Sequence, residues 1–445
     1  MKLSHLLNTS RLRNDSDTAF TKRGDRVTKV SNSIFSHTYP NGLVLVAEQM
    51  GWLQSAAFTF LVPAGCVHDP AERGGLSGFA CEMALRGAGE RDSRQFILDL
   101  DNLGVERSES VSSAHAGFSG AVMAEKLPQA LSIYADMLRR PLLPEDQLES
   151  GRQAMLQELR AVDDEPAQKV MIELRKRHYP NPWGQPSQGD RKAIEATTLD
   201  DIRRHFHRHY SPNGTILGVA GRIDWERLKD RVGELFDDWP ASKENLIEEK
   251  QCSVRYEHLA HDSQQTQIAI AYPSVPYRHR DYFQAWGSVG VLSGGMSARL
   301  FHEVRERRGL CYSVYATHHT LQHRGAVFCY AGTSADRAQE TLDVTLGELT
   351  RLARGIDDSE LDRLKARIKS ALIMQNESST ARSASLARDW FHLNRARTIE
   401  ELGRLIDDLS SRSINAYLSS QPPQDFTVVT LGPQPLTISN GACAK

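Results

Sequence analysis

The alternation of apolar and polar residues divides the chain into two passages of the same order, each running from strands through helices to a closing strand. In the first, Phe35-Ser36-His37-Thr38-Tyr39 leads through the turn signal Pro40-Asn41-Gly42 into the apolar run Leu43-Val44-Leu45-Val46-Ala47. Ser55–Val62 is the next strand and the natural partner of that run. Between residues 74 and 87, Leu76, Phe79, Ala80, Met83 and Ala84 fall at i, i+3, i+4, i+7 and i+8, one face of a helix. Residues 111–123 alternate as a strand does, Leu127–Arg139 and 144–163 read as helices, and Ile216–Gly221 closes the passage.

The second passage repeats the order. Residues 267–272 form a strand, 283–292 and 297–308 two helices, 312–317 and 326–331 a hairpin, 335–405 a long helical region, and 426–432 a closing strand. Residues 241–254 are charged and aperiodic, which suits a linker. The predicted fold is α+β: two homologous halves, 33–240 and 255–435, each a mixed, mainly antiparallel sheet with helices packed on one face. Polar, irregular residues 1–32 read as a mobile tail and 436–445 as a second one.

Composition narrows the function. With 40% hydrophobic and 25% charged residues and a net charge of −2, the chain has no electrostatic case for nucleic acid or an anionic membrane surface as a partner. No apolar run reaches the length of a membrane span. Ser10-Arg11-Leu12-Arg13 has a trace of a transit peptide, against which Asp15, Asp17 and Asp25 argue. The six cysteines (66, 81, 252, 311, 329 and 443) have no C-x-x-C pair and read as reduced, structural thiols in a cytoplasmic protein.

The chemistry sits in two motifs. The first is Gly75-Leu76-Ser77-Gly78-Phe79-Ala80-Cys81-Glu82-Met83, followed by Gly87. It resembles the helix of the insulinase/pitrilysin zinc peptidases, in particular bacterial two-chain and mitochondrial-processing-peptidase-like members. There the segment reads G-L-x-H-F-x-E-H-M, with two His on zinc and the Glu activating water. Here the frame is kept, but the three chemical positions carry Gly78, Cys81 and Glu82. The resemblance places a third ligand, a Glu, about seventy-six residues further on, and that count from Glu82 arrives at Glu158.

A catalytic zinc takes three protein ligands and one open position. Cys81 and Glu82 are adjacent on a helix and point about a quarter-turn apart, so with Glu158 they make a poor zinc set. The plainer reading makes Glu158 a solvated or salt-bridged helix residue and Cys81 a small, partly buried filler. His205 and His209, one helical turn apart in His205-Phe206-His207-Arg208-His209, have metal-binding spacing but no Glu between them. His258-x-x-His261 and His318-His319 are weaker and expected on exposed strands or turns. There is no G-x-S-x-G, no G-x-x-x-x-G-K-[ST] and no G-x-G-x-x-G after a strand.

The second motif runs from Leu292-Ser293-Gly294-Gly295-Met296-Ser297-Ala298-Arg299-Leu300-Phe301 through His302-Glu303-Val304-Arg305 to Gly309-Leu310-Cys311-Tyr312. Ser297 is the expected N-cap, Leu300, Phe301 and Val304 the buried stripe, and Gly309 a left-handed stop. The resemblance covers residues 33–435 and is most specific here. It implies that Arg305 and Tyr312 are a pair that reaches a peptide near the zinc of an opposite half, where both can donate hydrogen bonds to a carbonyl or its oxyanion. The plainer reading has Arg305 complementing a helix end and Tyr312 in the core.

The resemblance therefore implies a LuxS- and processing-peptidase-like metallohydrolase fold and a non-catalytic subunit of a heterodimeric zinc metalloendopeptidase. Such a subunit has no cofactor of its own, a homologous zinc-bearing partner and a peptide substrate. Two other readings stay open: a scaffold or peptide-binding homodimer without proteolysis, and a zinc protease active alone.

Overall fold

In the computed structural model, residues 33–242, 247–252 and 254–438 are described. The tail predicted at 1–32, most of that at 436–445, and parts of the predicted linker lie outside the described residues.

The first half is built on a six-stranded sheet. Its strands are β1 (Ser33–Thr38), β2 (Val44–Gln49), β3 (Ser55–Val62), β6 (Glu106–Val111), β7 (Ala116–Met123) and β8 (Ile216–Gly221), in the order β1-β2-β8-β3-β7-β6. Two short strands, β4 (Gly87–Ala88) and β5 (Arg91–Asp92), form a separate ribbon. The second half has five strands: β9 (Tyr256–Ala260), β10 (Gln265–Ser274), β11 (Cys311–Thr320), β12 (Gly325–Ser334) and β13 (Thr427–Gly432), in the order β11-β12-β10-β13-β9. Both sheets are mainly antiparallel, with one parallel pairing each, β2 with β8 and β13 with β9.

The predicted turn at Pro40-Asn41-Gly42 forms, with Gly42 at φ 91° and β1 antiparallel to β2. The predicted pairing of β2 with β3 does not. β8 lies between them, parallel to β2 and antiparallel to β3. Every residue of β8 is buried, and a central place gives such a strand ladder partners on both sides. The segment 111–123 is two strands rather than one, because Ser112 to His115 make the turn between β6 and β7.

In the second half the long helical region resolves into Ala338–Arg351, Asp358–Asn376, Ser379–Leu393 and Ile399–Asp407. Gly355 (φ 96°) and Asn394 (φ 55°) break it. Asp357, Ser378 and Thr398 then cap the next helix by accepting from Glu360 N, Ala381 N and Glu401 N. The motif helix starts later than Ser297, which lies in a turn closed by Ala298 N donating to Gly295 O at 3.0 Å. Leu436 is not free tail: its carbonyl accepts from Tyr256 Oη at 2.7 Å.

Each half's own helices cover one face of its sheet, as expected. Phe79, Met83, Leu131 and Tyr134 pack on Phe58, Phe60 and Phe118 in one core, and Leu292, Leu342 and Leu364 join Ile268, Ile270 and Val428 in the other. The opposite faces are covered by an exchange that the sequence did not announce. Helix Pro166–His178 of the first half lays Val170 and Leu174 on Ala269, Ala271, Phe328 and Val429 of the second sheet. Helix Ser379–Leu393 of the second half lays Leu386 and Trp390 on Val46, Met50 and Ala220 of the first. The same helix carries Arg382, which ion-pairs with Glu48 of β2, both side chains buried.

Among the described residues, no helix is long and apolar enough to cross a membrane.

Candidate functional site

The first motif occupies helix Leu76–Ala84, as its periodicity predicts. Its start is held by Asp69, which accepts from Gly75 N at 2.9 Å, Ser77 N at 2.8 Å and Ser77 Oγ. Burial pushes the Asp69 carboxyl up to about 6 against the pull of those donors. Sequence reasoning missed Asp69; an acid shortly before an apolar-periodic run is the signal that could have found it.

The three chemical positions and Glu158 are each otherwise engaged. Gly78 faces Met155 and the backbone of Ser187 so closely that a Cβ there would stand 2.8 Å from Ser187 O. Cys81 is buried beside Tyr210, and burial first, then Glu109 and Glu82, push its thiol up to about 12. Glu82 turns to Arg86 one helical turn on, with Nη2 to Oε1 at 2.7 Å. Glu158 is exposed on helix Leu148–Asp163 and accepts from Gln188 Nε2 at 3.2 Å.

A zinc-activating site needs deprotonated donors converging on one point. This set offers a residue without a side chain, a thiol held protonated, and carboxylates taken by other groups. The residues present do not fit a catalytic zinc. Among the described residues, no group of three His, Cys, Asp or Glu side chains is placed to hold a metal ion.

His205 and His209 do share a face of helix Leu199–His209, but it is the inner one. Their ring centroids are 4.7 Å apart, and His68 stacks on His209 at 4.4 Å. Burial lowers His209 to about 3 and holds His205 well below the usual imidazole range. These are packed, neutral rings. His318 and His319 also face inward, against expectation: His318 Nε2 lies 2.9 Å from Ser274 Oγ and His319 Nδ1 lies 2.8 Å from Tyr179 Oη. His258 is half-buried on β9, with Nδ1 2.9 Å from Thr430 Oγ1. The five described cysteines, 66, 81, 252, 311 and 329, are free thiols; Cys443 lies outside the described residues.

The second motif places its pair at the surface. The helix around Phe301–Glu306 is wound wide and ends at Gly309 (φ 60°), where Gly309 N donates to Arg305 O at 3.1 Å and Leu310 N to Val304 O at 3.0 Å. The chain then enters β11 through a bulge: Cys311 opposes Thr333 and Ser313 opposes Gly332, so Tyr312 is the extra residue. A bulge re-aims a side chain, and here it turns the Tyr312 ring outward, 85% exposed. The reading of Tyr312 as core is therefore overturned.

Arg305 lies over that ring, its guanidinium 5.3 Å from the Tyr312 centroid and 4.8 Å from that of Phe301. Two aromatic faces thus orient one cation, a stack worth about 0.5–1 kcal/mol per face at an exposed site. Arg307 and Arg308 are both held by Glu303, at 3.2 and 2.6 Å, and Arg308 before the others pulls the Glu303 carboxyl down to about 2. Arg305 is exposed and has no ion pair among the described residues. A cleft of about 470 Å³ beside the pair is lined by Tyr312, Gln265, Tyr330, Thr333 and Arg337. Phe301 as the second platform was legible only as part of the apolar stripe.

Comparison with known proteins finds one family over both halves. The family profile described as Insulinase (Peptidase family M16) matches residues 45–186, and that described as Peptidase M16 inactive domain matches residues 196–368. An uncharacterized zinc protease of Bacillus subtilis, YmxG, is 25% identical over 89% of this chain and 98% of its own length. An uncharacterized zinc protease of Mycobacterium bovis is 26% identical over 89% and 92%. Among solved structures, a peptidase M16 inactive domain from Pseudomonas fluorescens superposes with a TM-score of 0.83 at 21% identity, covering 91% of this chain and 99% of that one. A protease from Helicobacter pylori gives 0.82 at 19% identity, covering 90% and 100%. With both family profiles matched in succession and the same fold in the solved relatives, the chain belongs to the insulinase family of M16 peptidases.

Proposed function

We propose that this chain is the non-catalytic subunit of a two-chain zinc metalloendopeptidase, supplying Arg305 and Tyr312 to a homologous partner that carries the intact H-x-x-E-H site. The observation that carries this reading is the contrast between the two motifs. The zinc positions are closed and engaged, while the Arg305–Tyr312 pair is exposed, oriented and free of carboxylates. The partner's H-x-x-E-H residues would hold the zinc, which would supply the activated water. This chain's part is to hold an extended peptide and to donate hydrogen bonds to the carbonyl oxygen as it gains charge.

The test is turnover of a model peptide by the chain combined with its zinc-bearing homologue. Arg305→Ala and Tyr312→Phe are expected to lower kcat by roughly 10²-fold, the usual cost of an oxyanion donor, while the complex still forms on size exclusion. Unchanged turnover rules out the role. A complex that assembles and binds peptide without cleaving it would favour the scaffold reading.

A further inference from the structure

The first motif has lost more than its ligands. Residues 187–190, Ser187-Gln188-Gly189-Asp190, lie backbone to backbone against the start of helix Leu76–Ala84. A Cβ at Gly78 would meet Ser187 O at 2.8 Å and Met155 Cε at 3.0 Å, and one at Gly75 would meet Gln188 O at 2.9 Å. From the other side, a Cβ at Gly189 would meet Gly74 O at 2.0 Å. Three of these four obstacles are carbonyl oxygens of the main chain, which cannot swing aside as a side chain does.

The segment is also tied in place. Gly189 N donates to Pro186 O at 3.2 Å, and Asp190 caps the helix Arg191–Ala196 by accepting from Ala193 N at 3.0 Å. Gln188 Nε2 reaches Glu158 Oε1, the carboxylate that the family pattern makes the third ligand. Glycines at 75, 78 and 189 are what permit this approach.

We propose that Ser187-Gln188-Gly189 is a built plug that fills the space a ligand side chain at position 78 would need and takes up Glu158, so that restoring the ligands does not restore the metal site. The proposal deepens, and rests on, the reading of this half as non-catalytic.

The test uses the full chain with Gly78→His, Cys81→Glu and Glu82→His together, dialysed against zinc chloride and analysed for metal. The triple variant is expected to retain no more zinc than the natural chain. One tightly held zinc per triple variant overturns the plug, yet leaves the natural chain, which lacks those ligands, non-catalytic. Should the triple variant not fold, single changes decide. Gly78→Ala must displace Ser187 and is expected to lower the thermal unfolding midpoint by about 2–4 °C, whereas Glu82→His, which loses only the partly exposed pair with Arg86, is expected to lower it less. An unshifted Gly78→Ala overturns the proposal.

Discussion

The Glu48–Arg382 pair joins β2 of the first half to helix Ser379–Leu393 of the second, with side chains only 1% and 2% exposed. Arg382 also donates through Nη2 to Arg397 O at 2.7 Å, and Arg397 in turn holds Asp389 at 3.1 Å. Glu48→Leu leaves a guanidinium buried beside an apolar side chain. Arg382→Met leaves a carboxylate unpaired and also frees the Arg397 carbonyl. Removing one member of a buried pair costs about 3–5 kcal/mol, so each single variant should fall in that range, Arg382→Met at its upper end. The double variant Glu48→Leu with Arg382→Met removes both charges and fills the site with apolar atoms. It should recover most of the loss and cost under about 2 kcal/mol, so the coupling energy is at least about 4 kcal/mol. Urea denaturation followed by tryptophan fluorescence measures all three, and Trp390 sits in the same seam. Single variants that cost under about 1 kcal/mol, or a double variant equal to the sum of the singles, would refute the claim that this pair locks the two halves.

The helix exchange and the buried imidazoles make two further predictions. Leu174 belongs to the first half but is fully buried on the second sheet, so Leu174→Ala should cost about 2–5 kcal/mol and raise hydrogen exchange in β10 and β13; loss of protection confined to the first half would contradict the exchange. Burial lowers His115, His209 and His319 to about 3 and His178, His318 and His392 to about 4. The unfolded chain takes up these protons first, so the stability they carry is complete above about pH 6.5 and is lost as pH falls towards 3 to 4. Asp69, raised to about 6, works in the opposite direction but is a single group. Urea midpoints should therefore fall between pH 7 and 5, less steeply in His115→Gln; a flat profile would count against these rings being neutral in the fold.

Much of this protein was legible in the sequence because the informative signals are local. The period of Leu76, Phe79, Ala80, Met83 and Ala84 set the motif helix, and Gly309 set the end of the second, since helical faces and left-handed stops depend on neighbours a few residues away. The substitutions at Gly78, Cys81 and Glu82 stood in the open. What the tertiary structure decided are contacts between residues far apart in the chain. The insertion of β8 between β2 and β3 brings residues about 170 apart into one ladder, which no window of sequence encodes. Helix Pro166–His178 was not read from the sequence and Ser379–Leu393 only as part of the region 335–405, and nothing local says that each covers the other half's sheet. Tyr312 shows the limit most sharply: as an aromatic residue at the start of a strand it reads as core, and only a bulge against Thr333 and Gly332 turns it out beside Arg305. Periodicity records which face of an element is apolar, while packing decides what that face meets.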